Sequence, residues 1–266
     1  MPDSTRQAMQ DAPLKVFITG ASSGIGAALA AEYARQGAVL GLVARRGEAL
    51  AGFRQSHPDH TISIYPADVR DADALAAAAR DFIAQHGMPD VVIANAGVSR
   101  GVLTGEGDLA TFRDVMDTNY FGMVATFEPF ASAMAKAKRG TLVGIASVAG
   151  VRGLPGSGAY SASKAAALAY LEALRVEMRP FGVPVVTIAP GYIRTPMTAK
   201  NPYRMPFLMD ADQFAAKAAQ AIARGTAFAV FPWPMRVAAT MLRALPRWVY
   251  DRVFEKAPRK PRTASH

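Results

Sequence analysis

Short β-branched runs alternate with helix-period stretches along most of the chain, the pattern of an α/β fold built on a parallel sheet. Apolar runs at Leu14–Thr19, Ala38–Ala44, Thr61–Pro66, Asp90–Ala94, Thr141–Ala146, Val183–Ala189 and Ala227–Phe231 predict about seven strands. Helical periodicity predicts helices over Gly24–Gln36, Asp71–His86, Asp108–Ala137, Ala159–Arg179 and Asp212–Arg224. Stop signals agree: Gly37 follows the first helix, Gly87 and Pro89 the second, Pro180 and Gly182 the fourth. Asn201–Asp210 reads as an irregular apolar stretch. The expected architecture is a doubly wound parallel sheet with helices on both faces and right-handed crossovers. Residues 13–232 contain no repeat and no linker, so they are expected to form a single domain. Residues 1–12 are expected to be a flexible N-terminus, 233–256 a C-terminal amphipathic helical extension and 257–266 a basic disordered tail.

Composition narrows the classes. With 266 residues, 51% apolar and 19% charged, the chain is long and apolar enough for one sizeable core. It has no cysteine, which excludes disulfides, thiolate catalysis and zinc–cysteine sites and is compatible with a cytoplasmic protein. The stretch from Met1 to Lys15 is polar and has no apolar signal-peptide region. No window reaches the ~18 apolar residues of a spanning helix. His57 and His60, separated by Pro58 and Asp59, read as a solvated loop rather than a metal site, and no metal is expected. The net charge of +9 is concentrated at one end: Met235 to His266 holds eight basic residues against two acids. A C-terminal segment, not the body, therefore carries the excess.

The first strand runs into Thr19-Gly20-Ala21-Ser22-Ser23-Gly24-Ile25-Gly26 and then a helix. Glycines permit the tight turn and let backbone N–H groups approach a pyrophosphate at the positive helix end. The spacing is G-x-x-x-G-x-G rather than G-x-G-x-x-G, and an ordinary strand–helix turn can also look like this. The end of the second strand discriminates further. An acid there would hold the ribose hydroxyl of NAD, whereas an arginine accepts the extra phosphate of NADP. Here Ala44 is followed by Arg45 and Arg46, which favours NADP(H); the competing reading is two arginines that merely cap the sheet in water. Asp68, followed by Val69, is a candidate acceptor for the adenine amino group, and Asn95-Ala96-Gly97 supplies small residues beside the cofactor.

Tyr160 and Lys164 are spaced i, i+4 and share one face of a predicted helix. A neighbouring ammonium is expected to lower the phenol pKa, so that Tyr160 could exchange a proton with a carbonyl or alcohol oxygen. Ser147, thirteen positions earlier at the end of the fifth strand, could hydrogen-bond the same oxygen. Asn119, in the preceding long helix, could position a water behind Lys164. A bare YxxxK is common on solvated helices, so the weight rests on the set.

Taken together, TGASSGIG (Thr19–Gly26), ADV (Ala67–Val69), NAG (Asn95–Gly97), Asn119 in DTNYFG, Ser147 in ASVAG, YSASK (Tyr160–Lys164) and PGYIRTPM (Pro190–Met197) resemble the short-chain dehydrogenase/reductase family in its single-domain branch. The resemblance spans roughly Leu14 to Phe231 and implies a Rossmann-type fold. It implies that Tyr160 is the acid/base, that Lys164 binds the nicotinamide ribose and tunes Tyr160, that Ser147 polarises the substrate, and that Asn119 completes a water-linked proton relay. It further implies that Pro190, Gly191, Ile193 and Thr195 border the nicotinamide end. Two positions depart from the common pattern, Ala146 before Ser147 and Ala94 before Asn95. Neither removes a working side chain.

The expected function is hydride transfer between NADP(H) and a carbonyl/alcohol pair; a non-catalytic NADP-binding sensor or scaffold is the alternative. A sugar-nucleotide epimerase is disfavoured because fewer than forty residues follow the seventh strand. Tyr192, Met197, Tyr203, Met205, Phe207, Leu208 and Met209, facing Val148 and Leu154, suit a nonpolar or bulky substrate, or simply a lid packed on the body. Arg194, Lys200 and Arg204 are the few charges in that segment. Residues Met235–Phe254 predict one or two amphipathic helices, with Trp248, Val249, Val253 and Phe254 buried on the lid or a neighbouring subunit and the arginines outward. The rival is peripheral contact with an anionic membrane. A homo-dimer or homo-tetramer is expected, and no nucleic-acid partner.

Overall fold

A computed structural model describes residues 12–199 and 201–262. The flexible start expected over residues 1–12 therefore falls almost wholly outside the described residues, as do Lys200 and residues 263–266 of the expected disordered tail. The core elements are β1 (Lys15–Thr19), α1 (Gly24–Arg35), β2 (Val39–Ala44), α2 (Gly47–Gln55), β3 (Ile62–Pro66), α3 (Ala72–His86) and β4 (Val91–Ala94). These are followed by α4 (Leu109–Met116), a π-helical segment (Asp117–Phe121), α5 (Gly122–Ala137), β5 (Thr141–Ile145), α6 (Gly158–Met178) and β6 (Val185–Pro190). A two-residue pair, β7 (Ile193–Arg194) and β8 (Met209–Asp210), precedes α7 (Ala211–Ala223), β9 (Phe228–Phe231), α8 (Trp233–Ala244) and α9 (Arg247–Phe254).

The seven main strands form one parallel sheet in the order β3-β2-β1-β4-β5-β6-β9. Strand alternation explains why both faces need cover: Val16 and Ile18 point into one core while Phe17, between them, points into the other. The first face is covered by α1 and α7, through Leu29, Tyr33, Phe214 and Ile222. The second is covered by α3, α5 and α6, through Phe82, Phe127, Phe130 and Leu171. Because β1 pairs with β2 on one side and β4 on the other, the chain reverses its winding there. Such a switch point opens a crevice beyond the carboxyl ends of the strands.

Three features differ from the sequence expectation. α2 was not expected; its nine residues are glycine-rich and only Leu50 is fully buried, with Phe53 packed beside it. The long helix expected over Asp108–Ala137 is two α-helices joined by the π segment. Residues 257–262, expected to be disordered, instead cross the loops that follow β4 and β5, held by side-chain bonds described below.

The C-terminal extension forms two helices, as expected, but its packing is only partly as expected. The chain turns through a cis Phe231–Pro232 peptide into α8, whose Met235 is buried against Gly191. A Cβ on Gly191 would stand 2.6 Å from Met235 Cγ, so only glycine allows this approach. Arg152 Nη1 donates to Leu242 O at 2.8 Å and Leu245 O at 2.7 Å, satisfying carbonyls at the end of α8. Its guanidinium also lies 4.1 Å from the Tyr250 ring centroid, and the Tyr250 hydroxyl donates to Gly153 O. Phe254 stacks on Tyr250 at 4.4 Å. Trp248, expected to be buried, is instead exposed, because α9 turns its Tyr250 side toward the body; Val253, also expected to be buried, is exposed at the edge of that side.

Phe17 ties the second core together, with ring centroids 5.6 Å from Phe82, 5.0 Å from Phe130 and 6.0 Å from Tyr65. Phe17→Ala is expected to cost about 3–5 kcal/mol of folding stability, because close-packed surroundings cannot collapse into the space. Denaturant unfolding measures this; a loss below about 1 kcal/mol would contradict the packing described.

Candidate active site

The glycine loop leaves β1 beside β4, and Asn95 ties the two strand ends. Its Nδ2 donates to Thr19 O at 3.0 Å and Gly20 O at 3.2 Å. The turn is tight: a Cβ on Gly26 would stand 2.2 Å from Gly20 O, so no other residue fits without moving the loop. α1 then starts at Gly24, and no side chain caps it. Its first N–H groups face the cleft with the positive end of the helix dipole, which suits an anionic phosphate.

A cleft of about 400 Å³ runs from this loop along the strand ends. It is lined at one end by Ser22, Arg45, Arg46 and Asp68, and at the other by Ser147, Tyr160, Lys164 and Thr195. Every cofactor and catalytic candidate read from the sequence lines this cleft except Gly26, which shapes the loop from beneath, and Asn119, which stands behind Lys164 and Gly97. The others, among them Gly20, Ser23, Gly24, Ile25, Val69, Ala96, Pro190, Gly191 and Ile193, are brought together from six strand ends. An elongated, partly polar cleft with a glycine cradle at its centre fits a dinucleotide.

At the arginine end, Arg46 folds over the loop. Its Nη2 donates to Ser23 Oγ at 2.7 Å and Ser22 Oγ at 3.1 Å. Arg45 reaches toward Asp68 at 3.8 Å, but the Asp68 carboxylate is chiefly gripped by Arg70, at 2.6 Å. That grip holds Asp68 below its usual pKa. Two guanidinium groups and two serine hydroxyls thus share one rim.

At the other end, Ser147 follows β5 and Tyr160 and Lys164 share a face of α6, as their spacing predicts. Lys164 Nζ is buried and donates to Ile145 O at 2.8 Å. Burial pushes its pKa down to about 8. The Tyr160 phenol is shifted upward by burial, with a hydrogen bond from Ser147 pulling the other way. The lowered phenol pKa expected from the sequence is therefore not found. Desolvation sets the direction of the shift, while the ammonium lies 6.0 Å from the ring centroid and is directed at a backbone carbonyl.

Asn119 sits in the π segment, where its side chain grips the backbone of Val98 from both sides. Oδ1 accepts from Val98 N at 2.7 Å and Nδ2 donates to Val98 O at 2.9 Å. Nδ2 also donates to Ser163 Oγ at 2.9 Å, and Ser163 in turn donates to Tyr160 O at 2.8 Å. A Cβ built on Gly97 would lie 3.2 Å from Asn119 Oδ1 and 3.6 Å from Lys164 Nζ, which brings both groups to one glycine. Ser163 was missed from the sequence; the available signal was its place between Tyr160 and Lys164. Thr198 was missed as well. It accepts from Thr195 N at 3.0 Å and donates to Ile193 O at 2.6 Å, locking the segment after β6.

Beyond Ser147 and Tyr160 lies the segment expected to form a substrate wall. Tyr192 and Tyr203 face each other at 6.4 Å, Val148 and Tyr192 pack on the group containing Met235, and Met197 lines the cleft. Phe207, expected to join this wall, is exposed, with φ of 58°. Across the opposite rim runs the C-terminal strap. Lys260 Nζ donates to Ser99 Oγ at 2.8 Å, and Arg262 makes a two-pronged bond with Asp108 at 3.0 Å and contacts Glu106 at 3.1 Å. Asp108 also accepts from Leu103 N at 2.8 Å, so one carboxylate holds both loop and strap.

Comparison with known proteins agrees with this geometry. Residues 15–205 match the family model for short chain dehydrogenase. An "Uncharacterized oxidoreductase" of Myxococcus xanthus is 39% identical over 88% of this chain and 94% of its own length. The crystal structure of a short-chain dehydrogenase from Streptomyces avermitilis superposes with a TM-score of 0.78 at 27% identity, covering 86% of this chain and 92% of that one. An alcohol dehydrogenase from the archaeon Thermococcus sibiricus, complexed with 5-hydroxy-NADP, superposes with a TM-score of 0.72 at 25% identity, covering 80% and 91%. With the family model matched over most of its length and a relative this similar, the chain belongs to the short-chain dehydrogenase/reductase family of oxidoreductases.

Proposed function

We propose that the protein is an NADP(H)-dependent oxidoreductase that interconverts a carbonyl and an alcohol, with Tyr160 as the proton donor and acceptor. The observation that carries this reading is the single cleft with Ser147, Tyr160 and Lys164 at one end and Arg45 and Arg46 at the other. When bound, the dinucleotide supplies or accepts the hydride. Tyr160 gives its phenol proton to the oxygen of the carbonyl being reduced, and Ser147 hydrogen-bonds that oxygen. Burial keeps the phenol protonated near neutral pH, which sets the residue for reduction. Lys164 presents its ammonium to the same end of the cleft, and Asn119 and Ser163 hold the Tyr160–Lys164 turn against Val98.

The arginine end supports NADP(H) over NAD(H). Arg45, Arg46, Ser22 and Ser23 form a donor-rich rim that suits a phosphate, and a guanidinium bonds phosphate in a fork. The solved alcohol dehydrogenase complexed with 5-hydroxy-NADP is consistent with this choice. The substrate wall of Tyr192, Tyr203, Met197 and Val148 supports a nonpolar or bulky carbonyl.

Three outcomes are expected. Tyr160→Phe loses about 10²–10⁴-fold in turnover while NADPH binding stays nearly unchanged, because only the proton donor is removed. Steady-state rates on a carbonyl panel, with fluorescence titration of NADPH, test this; a variant keeping a tenth of the activity overturns the role. The rate of reduction should also depend on pH. Lys164 is charged below its depressed pKa of about 8 and neutral above it, so reduction holds below that pH and falls above it. A profile flat to the ordinary lysine range contradicts the buried ammonium. Finally, NADPH is expected to bind at least about tenfold more tightly than NADH, and Arg46→Ala to erase most of that difference, since a charge-assisted bond is worth ~1.5–3 kcal/mol. Equal affinities in the parent protein would refute the cofactor preference.

A further inference from the structure

The two C-terminal helices lie beyond residue 205, where the family match ends. α8 has two unlike sides. Met235 and Leu242 face the body, and Trp233, Val237 and Met241, at i, i+4 and i+8, form an exposed stripe on the other side. Arg236 and Arg243 lie together along one edge of that stripe, by the 100° advance of an α-helix. In α9, Tyr250 faces inward, while Trp248 and Arg252 are exposed on the side away from it and Val253 is exposed at the flank. Arg152 bonds the end of α8 and packs on Tyr250 of α9, so both helices are fixed to the body and to each other.

The chemistry of this surface is specific. The chain has two tryptophans, and both stand here, Trp233 73% exposed and Trp248 75% exposed. Leaving such side chains in water on a rigid helix is unfavourable for a free monomer. Five cations, Arg236, Arg243, Arg247, Arg252 and Lys256, accompany two acids, Asp251 and Glu255. Among the described residues none of the five takes part in an ion pair, whereas the arginines of the body commonly do. A second copy of the chain would bring the same excess of positive charge against itself. An anionic surface with an apolar interior complements both features at once.

We propose that α8 and α9 dock the protein on an anionic phospholipid surface. Trp233, Val237, Met241, Trp248 and Val253 enter the interface and the five cations meet lipid phosphates. No helix among the described residues is long and apolar enough to cross a membrane, so the attachment is peripheral. It is reversible by salt, which screens the charges.

Tryptophan emission tests this directly, because selective excitation reports on this surface alone. Phosphatidylcholine vesicles containing phosphatidylglycerol are expected to shift the emission to the blue, and brominated lipids to quench it, with the protein co-sedimenting. Pure phosphatidylcholine vesicles should bind at least about tenfold more weakly, since each basic residue near an anionic surface adds to the attraction. Arg243→Glu with Arg247→Glu and Arg252→Glu, all exposed, should abolish co-sedimentation with unchanged circular dichroism. Unshifted emission with the anionic vesicles overturns the proposal, as does equal binding to neutral vesicles. A blue shift that depends on protein concentration without lipid assigns the face to a second copy and overturns it too.

Discussion

Lys164 is 4% exposed, and its ammonium rests on one strand carbonyl, Ile145 O. Taking a cation out of water is costly unless polar groups are held in place around it. That requirement fixes the geometry of its neighbourhood. Ile145 ends β5 two residues before Ser147, so the bond sets α6 against the strand that delivers the serine. Tyr160 lies one helical turn earlier on the same face, so its phenol is placed by the same contact. Asn119 approaches from a third element and meets Gly97, the glycine nearest the ammonium from the β4 side. Two strand ends, α6 and the π segment thus converge on one desolvated charge.

Much of this was legible in the chain. The seven strands follow from apolar runs because a parallel sheet buried on both faces needs continuous β-branched residues rather than an alternating pattern. Tyr160 and Lys164 could be paired because helical spacing alone puts i and i+4 together. The glycine loop was visible because backbone crowding there leaves no substitute. What was hidden depended on long-range packing. The π segment has no compositional mark; within it Asn119 bonds both backbone groups of Val98, 21 residues away. The direction of the Tyr160 shift was misjudged because spacing reports proximity to a charge, but not how far both partners are removed from water. Trp248 was placed in the wrong environment because an amphipathic pattern shows that a helix has an apolar side, not which of two apolar sides the body takes.

The tail also changes how the rim beyond Ser147 and Tyr160 is built. Asp108 accepts bonds from Leu103 N and from Arg262, so the loop after β4 and the chain's last described residues share one anchor. Arg152 plays the corresponding part for the loop after β5, tying it to α8 and α9. Both loops that flank the Tyr160 end of the cleft are therefore braced by residues beyond the seventh strand. The extension is structural to the cleft rather than an appendage of it, even though it carries none of the Tyr160–Lys164–Ser147 set.

The π segment sets a limit of another kind. A π turn holds one residue more than an α turn, and each residue of an α-helix advances the face by about 100°. Upstream, Val115 is seated with Val102 and Ala159; downstream, Phe127, Phe130 and Met134 are seated in the core beneath the sheet. The additional residue brings these two seatings into phase with Asn119 between them. Removing any one residue from 117–121 would leave the composition almost intact and still turn one half of the helix out of its socket. The stretch is therefore constrained in length more strictly than in identity: exchanges of side chain at Thr118 or Phe121 leave the phase alone, whereas a single-codon deletion does not.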